Sequence, residues 1–227
     1  MALLGNGMMV FWHDFEGDEI DFLHWHSYEH MPERVGIAGF RRGKRFAAVA
    51  GAPKYLTYYE TESVDTLTSE AYLARLNDPT PWTKRNLAGF RNSNRTLCAV
   101  VASFGHGQGA AMLTIRLSPE AGKESNLASW LTDEIFPDLV SQPGFMGAHL
   151  LRGDEAASRT ETDEKALRDT EDEVADWALM IEAITPAALV ALRDRALSDS
   201  ALADHGGRNM VAGIYLLQCN VAEFDLA

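Results

Sequence analysis

The sequence predicts an α+β fold made of two tandem copies of one β-α-β-β-α-β unit, and three observations carry that prediction. The segment Trp25-His26-Ser27-Tyr28-Glu29-His30-Met31-Pro32-Glu33 matches Trp130-Leu131-Thr132-Asp133-Glu134-Ile135-Phe136-Pro137-Asp138. A Gly-Phe pair follows each at the same distance, Gly39-Phe40 and Gly144-Phe145, so the halves run at a constant offset of 105 residues. Around this anchor, strand-like and helix-like stretches follow one another in the same order in both halves.

Each half opens on an apolar strand, residues 8–15 and 111–117, followed by the helix that carries the anchor and ends at Gly-Phe. Two strands come next, 41–49 and 55–61 in the first half, 146–152 and 177–184 in the second. A second helix (64–76, 186–197) and a closing strand (95–102, 211–221) complete each unit. This order is the split βαβ, or ferredoxin-like, unit. The first unit takes residues 1–104 and the second 105–227, with Phe104-Gly105-His106-Gly107-Gln108-Gly109 as a short link. A four-stranded sheet with helices on one face still has its other face to bury, and a covalently attached second copy supplies the partner. The second half alone carries residues 154–173, an acidic stretch of little apolar content that reads as an exposed or disordered loop.

Of the 227 residues, 46% are hydrophobic and 23% charged, an ordinary globular balance. No apolar run approaches the roughly 20 residues of a bilayer span, and residues 1–15 lack a basic region ahead of an apolar core, so the expectation is a cytoplasmic chain with no membrane partner. The formal net charge of −13 argues against nucleic acid, whose phosphates need a lysine- and arginine-rich surface. Cys98 and Cys219 sit in apolar runs without metal-ligand spacing and read as core thiols.

Equivalent positions in a repeat share burial and differ where function differs. At the constant offset His26 faces Leu131, His30 faces Ile135 and Arg34 faces Leu139. These are i, i+4 and i+8, one stripe of a helix, and in the second half that stripe is the face packed on the sheet. Two imidazoles and a guanidinium on such a face need partners or a ligand-accepting cavity. With Glu60 aligned to Glu182, Thr57 falls opposite Leu179 and Tyr59 opposite Ile181; a looser alignment sets His13 against Ile115. His26, His30 and Arg34 are therefore the candidate catalytic residues, and Tyr59, Thr57, His13 and Glu29 the candidate pocket residues. Glu29 recurs as Glu134, as Trp25 and Pro32 recur as Trp130 and Pro137, which assigns these residues chiefly to the fold, with Glu29 also able to orient a histidine. His24 and His205 read as surface, His106 as linker, and His149 aligns with Lys44.

His26-Ser27-Tyr28-Glu29-His30 satisfies H-x-x-E-H, in which i and i+4 imidazoles share a zinc ion, but nothing downstream offers a third ligand and no metal is expected. Gly105-x-Gly107-x-Gly109 opens no helix and reads as a hinge. Arg41-Arg42-Gly43-Lys44-Arg45 reads as a strand and turn with solvated charges.

Trp25-His26-x-x-Glu29-His30-x-Pro32-Glu33-Arg34, the Gly39-Phe40 pair and Asn77-Asp78-Pro79-Thr80-Pro81-Trp82 resemble EthD-like members of the dimeric α+β barrel superfamily, here as a tandem pair. The resemblance implies two ferredoxin-like sheets closing a pseudo-dimeric barrel with helices outside, and a pocket between helix and sheet in each competent half. Ile135 in place of the second histidine leaves the second half without such a site. Superfamily relatives include cofactor-free quinol-forming oxygenases, polyketide cyclases, muconolactone isomerases and haem enzymes, so the fold alone does not choose the reaction. The leading expectation is a cofactor-free enzyme of isomerase, cyclase, dehydratase or lyase type on a small apolar, aromatic or polyketide-derived substrate. In it His30 is general acid or base, His26 its relay, and Arg34 the holder of an anion. The alternatives are a haem-dependent enzyme or cofactor-free oxygenase of the same fold, and a non-catalytic binder of a small hydrophobic ligand; whole chains have room to associate further as a homodimer.

Overall fold

The computed structural model describes residues 2–168 and 171–226. The first half runs β1 (Gly7–Phe15), α1 (Glu19–Trp25), a π-helical turn (His26–His30), α2 (Met31–Val35), β2 (Phe40–Gly51), β3 (Tyr55–Thr61), a 3₁₀ turn (Val64–Thr68), α3 (Glu70–Leu76), α4 (Pro81–Leu87) and β4 (Phe90–Gly105). The second repeats it: β5 (Ala111–Pro119), α5 (Glu124–Ser129), a π-helical turn (Trp130–Ile135), α6 (Phe136–Ser141) and β6 (Phe145–Gly153). After an insertion bearing α7 (Glu155–Ser158) and α8 (Asp163–Ala166) come β7 (Trp177–Ala183), α9 (Pro186–Arg193), α10 (Asp199–Asp204) and β8 (Gly207–Ala222). The expected second helix is thus two short helices in each half. The turn before α4 breaks the helical pattern at Pro79, and new N-caps at Thr80 and Ser198 restart it. Gly39 and Gly144 follow the first helices at φ of 89° and 95°, a left-handed turn that explains the repeated Gly-Phe.

The eight strands close an antiparallel barrel in the order β1-β3-β2-β8-β5-β7-β6-β4. Seams β2–β8 and β4–β6 join the halves, and Trp12 Nε1 crosses between them to Thr114 Oγ1 at 2.9 Å. Three cores result: one between helices and sheet in each half, and one inside the barrel around Trp12, Phe46, Tyr58 and Tyr215. No helix among the described residues is long and apolar enough to cross a membrane.

Strand alternation overturns the solvated reading of the basic cluster. Arg42, Lys44 and Arg45 are buried, and only Arg41 reaches the surface, pairing with Glu62 and Glu223. Arg42 pairs with Glu60 at 2.6 Å and Lys44 with Glu182 at 3.4 Å, while Arg45 points under the first helix. The two glutamates also accept backbone N–H groups of the segments entering their halves, Glu60 from Leu4 (2.8 Å) and Glu182 from Gly109 (2.9 Å). That shared duty accounts for a glutamate at this position in both repeats. Cys98 is buried as expected, whereas Cys219 is only half-buried.

Candidate functional site

Proline 32 shapes the helix that carries the site. It has no N–H to give, and its ring clashes with the carbonyl one turn back; the chain widens there, so that Met31 N–H donates to the His26 carbonyl. Pro137 does the same in the other half, where Phe136 N–H reaches the Leu131 carbonyl. The π turn therefore belongs to the fold, and chemistry depends on which side chains it carries. His26, His30 and Arg34 all point inward, at 3%, 9% and 1% exposure. Leu131 and Leu139 are buried in the second half, with Ile135 half-buried beside them.

The inward side chains meet Thr57 and Tyr59 of β3, Phe11 of β1 and Arg95 of β4 around a cavity of about 30 Å³, room for a water molecule or two. Four buried polar atoms among them make no hydrogen bond: His30 Nδ1, Thr57 Oγ1, Tyr59 Oη and Arg34 Nη1, the last with the Glu33 carboxylate 3.7 Å away. Such atoms are rare in native proteins, and four around one small space mark a place built for an occupant. The histidine rings lie 5.5 Å apart, and Trp25 covers His30 at 4.5 Å. Burial first, then Arg34, holds His30 well below the ordinary imidazole range; burial and Arg45 do the same to His26. Arg45 Nη1 lies 3.1 Å from His26 Nδ1. A guanidinium only donates, so His26 carries its hydrogen on Nε2. Among the described residues no three His, Cys, Asp or Glu side chains are grouped to hold a metal ion.

The acidic insertion is ordered against this cavity instead of lying exposed; Asp169 and Thr170, within the predicted loop, are outside the described residues. The physical reason is the edge of β4. β6 pairs with β4 only from Cys98 onward, leaving residues 90–97 with one open side. The insertion takes that side: Asp154 N–H donates to the Leu97 carbonyl (2.7 Å), Leu97 N–H to Ser158 Oγ (2.9 Å), Arg95 N–H to the Glu173 carbonyl (3.0 Å) and Glu173 N–H to the Ser93 carbonyl (2.9 Å). Ala157 and Leu167 pack on the first-half core. Glu164 forms a buried ion pair with Arg34, and Arg168 lies 5.5 Å over the Phe11 ring while bonding Asp172. The insertion is thus a lid contributed by one half to the pocket of the other.

Two pocket candidates sit elsewhere. Glu29 does not line the cavity; its carboxylate accepts from Thr80 Oγ1 (2.6 Å) and Thr83 Oγ1 (3.3 Å), tying the helix to α4. His13 is buried behind the wall, 4.3 Å from the Phe90 ring and 4.8 Å from Phe11. Strand pairing also corrects its register: Phe11 faces Thr57 as Ile115 faces Leu179, so His13 corresponds to Leu117. The same pairing yields two site residues missed in the sequence. Lys44 faces Tyr58 as His149 faces Met180, which sets Arg45 against Leu150; Arg95, opposite Phe11, corresponds to Ala212, opposite Ile115. The alignment of Lys44 with His149 already contained the first.

Neutral buried histidines make the fold acid-sensitive. His13 and His149 are both lowered by burial to about 3, against an ordinary 6.5. The unfolded chain therefore binds their protons first as pH falls, so stability is full above about pH 6.5 and drops by about 1.4 kcal/mol per unit for each such histidine below it. His13→Leu, the residue of the other half, is expected to lose less stability than the parent chain between pH 6.5 and 4.5, measured by urea unfolding. Parallel pH curves would contradict this.

No family model and no curated protein matches the chain. Solved structures do: an anthrone oxidase-like protein (TM-score 0.65, 12% identity, 98% of this chain and 95% of that one); a candidate monooxygenase from Lactobacillus acidophilus NCFM (0.61, 7%, 96% and 97%); and a candidate monooxygenase from Fusobacterium nucleatum (0.57, 9%, 97% and 96%). At these identities the likeness is one of fold, a duplicated ferredoxin-like, dimeric α+β barrel.

Proposed function

We propose that this chain is an EthD-like, cofactor-free enzyme that removes a proton from a small aromatic or polyketide-type substrate in the cytoplasm. The observation that carries the reading is the convergence of unbonded His30 Nδ1, Arg34 Nη1, Thr57 Oγ1 and Tyr59 Oη on one cavity whose imidazole is held neutral. A neutral imidazole is a proton acceptor. Burial and Arg34 oppose a charge on His30 while the site is empty, but a substrate anion formed beside it offsets both, so imidazolium and anion form as a pair. Arg34 and the Nε2–H of His26 hold the anion, with Arg45 fixing the tautomer that makes His26 a donor. Proton return to a different atom gives isomerisation or cyclisation.

A second reading, attack of molecular oxygen on the same anion, is supported by the likeness to an anthrone oxidase-like protein; for anthrone the balance is anthrone and O₂ to anthraquinone and water. Both readings share the first step. With anthrone in D₂O under nitrogen, the chain is expected to accelerate exchange at the C10 methylene, read by proton NMR. Admitting air then separates the two, since anthraquinone forms faster than in buffer only on the oxygenase path. Exchange no faster than in buffer, across anthrone and its hydroxylated analogues, would sink the proton-transfer reading.

A further inference from the structure

Three guanidiniums, those of Arg34, Arg95 and Arg168, and one carboxylate, that of Glu164, line the cavity, in a chain of formal net charge −13. Asp172 offsets Arg168 through bonds of 2.9 and 2.5 Å. Arg95 donates to the Tyr72 hydroxyl at 2.9 Å, and Arg45 directs its donors to Gln218, the Leu23 carbonyl and His26. Neither forms an ion pair among the described residues. Cationic charge is therefore in excess around a space that also has aromatic walls.

Glu164 holds Arg34 through Nη2 alone, and Nη1 is buried without a hydrogen bond, its one acidic neighbour being Glu33 at 3.7 Å. A guanidinium pairs best with an acid through two parallel bonds, so its recognition capacity is half used. The one carboxylate at the cavity also belongs to the lid. A space of about 30 Å³ admits nothing near the roughly 300 Å³ of a small-molecule pocket, so the lid must lift before anything binds. Lifting it removes Glu164 from Arg34.

We propose that the pocket takes a small anion with an apolar ring body, whose carboxylate or phenolate occupies the place on Arg34 that Glu164 holds in the closed chain. Glu164 is then a built-in stand-in for the ligand's acid group, and the lid closes only when one acid or the other neutralises the guanidinium. This rests on the functional reading for the location of the site and not for its chemistry. A neutral molecule of the same shape has to displace Glu164 and leave Arg34 with only the longer contact to Glu33, at 3.7 Å and shared with Arg75, so the site selects by charge before it selects by shape.

The test is isothermal titration of the intact chain with 2-naphthoate and with the isosteric neutral 2-naphthamide. Naphthoate is expected to bind about 10- to 100-fold more tightly, the worth of a hydrogen bond to a charged group. Glu164→Gln should tighten naphthoate about tenfold by removing the internal competitor, and the amide, which no longer has to break the pair, should gain by a similar factor. Equal affinity for acid and amide, binding of neither, or weaker naphthoate binding in Glu164→Gln would each overturn the proposal. His30→Gln should keep the charge preference. In the parent chain, absence of anthrone exchange with that preference present counts against the proton-transfer reading alone, and absence of the preference with exchange present counts against this one alone.

Discussion

Replacing His30 by glutamine is expected to lower the anthrone exchange rate by about 10² to 10⁴-fold, the usual contribution of a positioned general base, with the melting temperature nearly unchanged. Glutamine fills a similar space and offers polar atoms to the same cavity, but it cannot take a proton. Stability should barely respond because His30 Nδ1 makes no hydrogen bond that the change would break. The pH profile adds a second readout. Burial and Arg34 depress the His30 pKa, so the base stays unprotonated below the ordinary imidazole range, and the acid limb of the free-enzyme rate should fall below pH 6.5. A His30→Gln variant within threefold of the parent rate would move the base elsewhere, with His26 the first residue to examine.

Arg34→Leu, the residue of the second half, is expected to cost about 3 to 5 kcal/mol, the usual effect of removing one partner from a buried pair. The pair's side chains are 1% and 6% exposed, and the change strands Glu164 under the lid. Copying the whole second-half stripe, with leucine at 26, isoleucine at 30 and leucine at 34, fills the cavity with aliphatic groups but strands the same carboxylate, so it should not be benign. Adding Glu164→Leu to either variant is expected to recover most of the loss, because a well-packed apolar replacement of a buried pair is often neutral or stabilising. Urea unfolding of the single and double variants gives the coupling directly. If the single variant is as stable as the double, Glu164 escapes to water at little cost and does not anchor the lid.

The repeat made much of this readable beforehand. Trp25 and Trp130, Pro32 and Pro137, and the paired Gly-Phe steps fixed the element order, and the mismatch of His26, His30 and Arg34 with Leu131, Ile135 and Leu139 located the cavity. What could not be read depends on contacts made far along the chain. Glu164 looks like any solvated acid until the open edge of β4 is known to receive its segment, and nothing local in residues 154–173 announces that edge. Arg42 and Lys44 look like surface charges until the barrel is closed, because their partners Glu60 and Glu182 come from other strands. His13 was misplaced by two residues because apolar alternation has period two and tolerates such a slip; hydrogen-bonded pairing of β1 with β3 does not.

Because the lid lies in one repeat and the cavity it covers in the other, the chain depends on being fused. In a dimer of identical subunits every change appears twice, so a half that filled its own pocket with leucines would fill its partner's as well. Joined end to end, the copies are free to diverge, and one can give up binding to become the cover of the other. Asymmetry of this kind makes the halves non-interchangeable. A chain assembled from two first halves would carry two uncovered pockets, and one from two second halves would carry two covers with nothing beneath them.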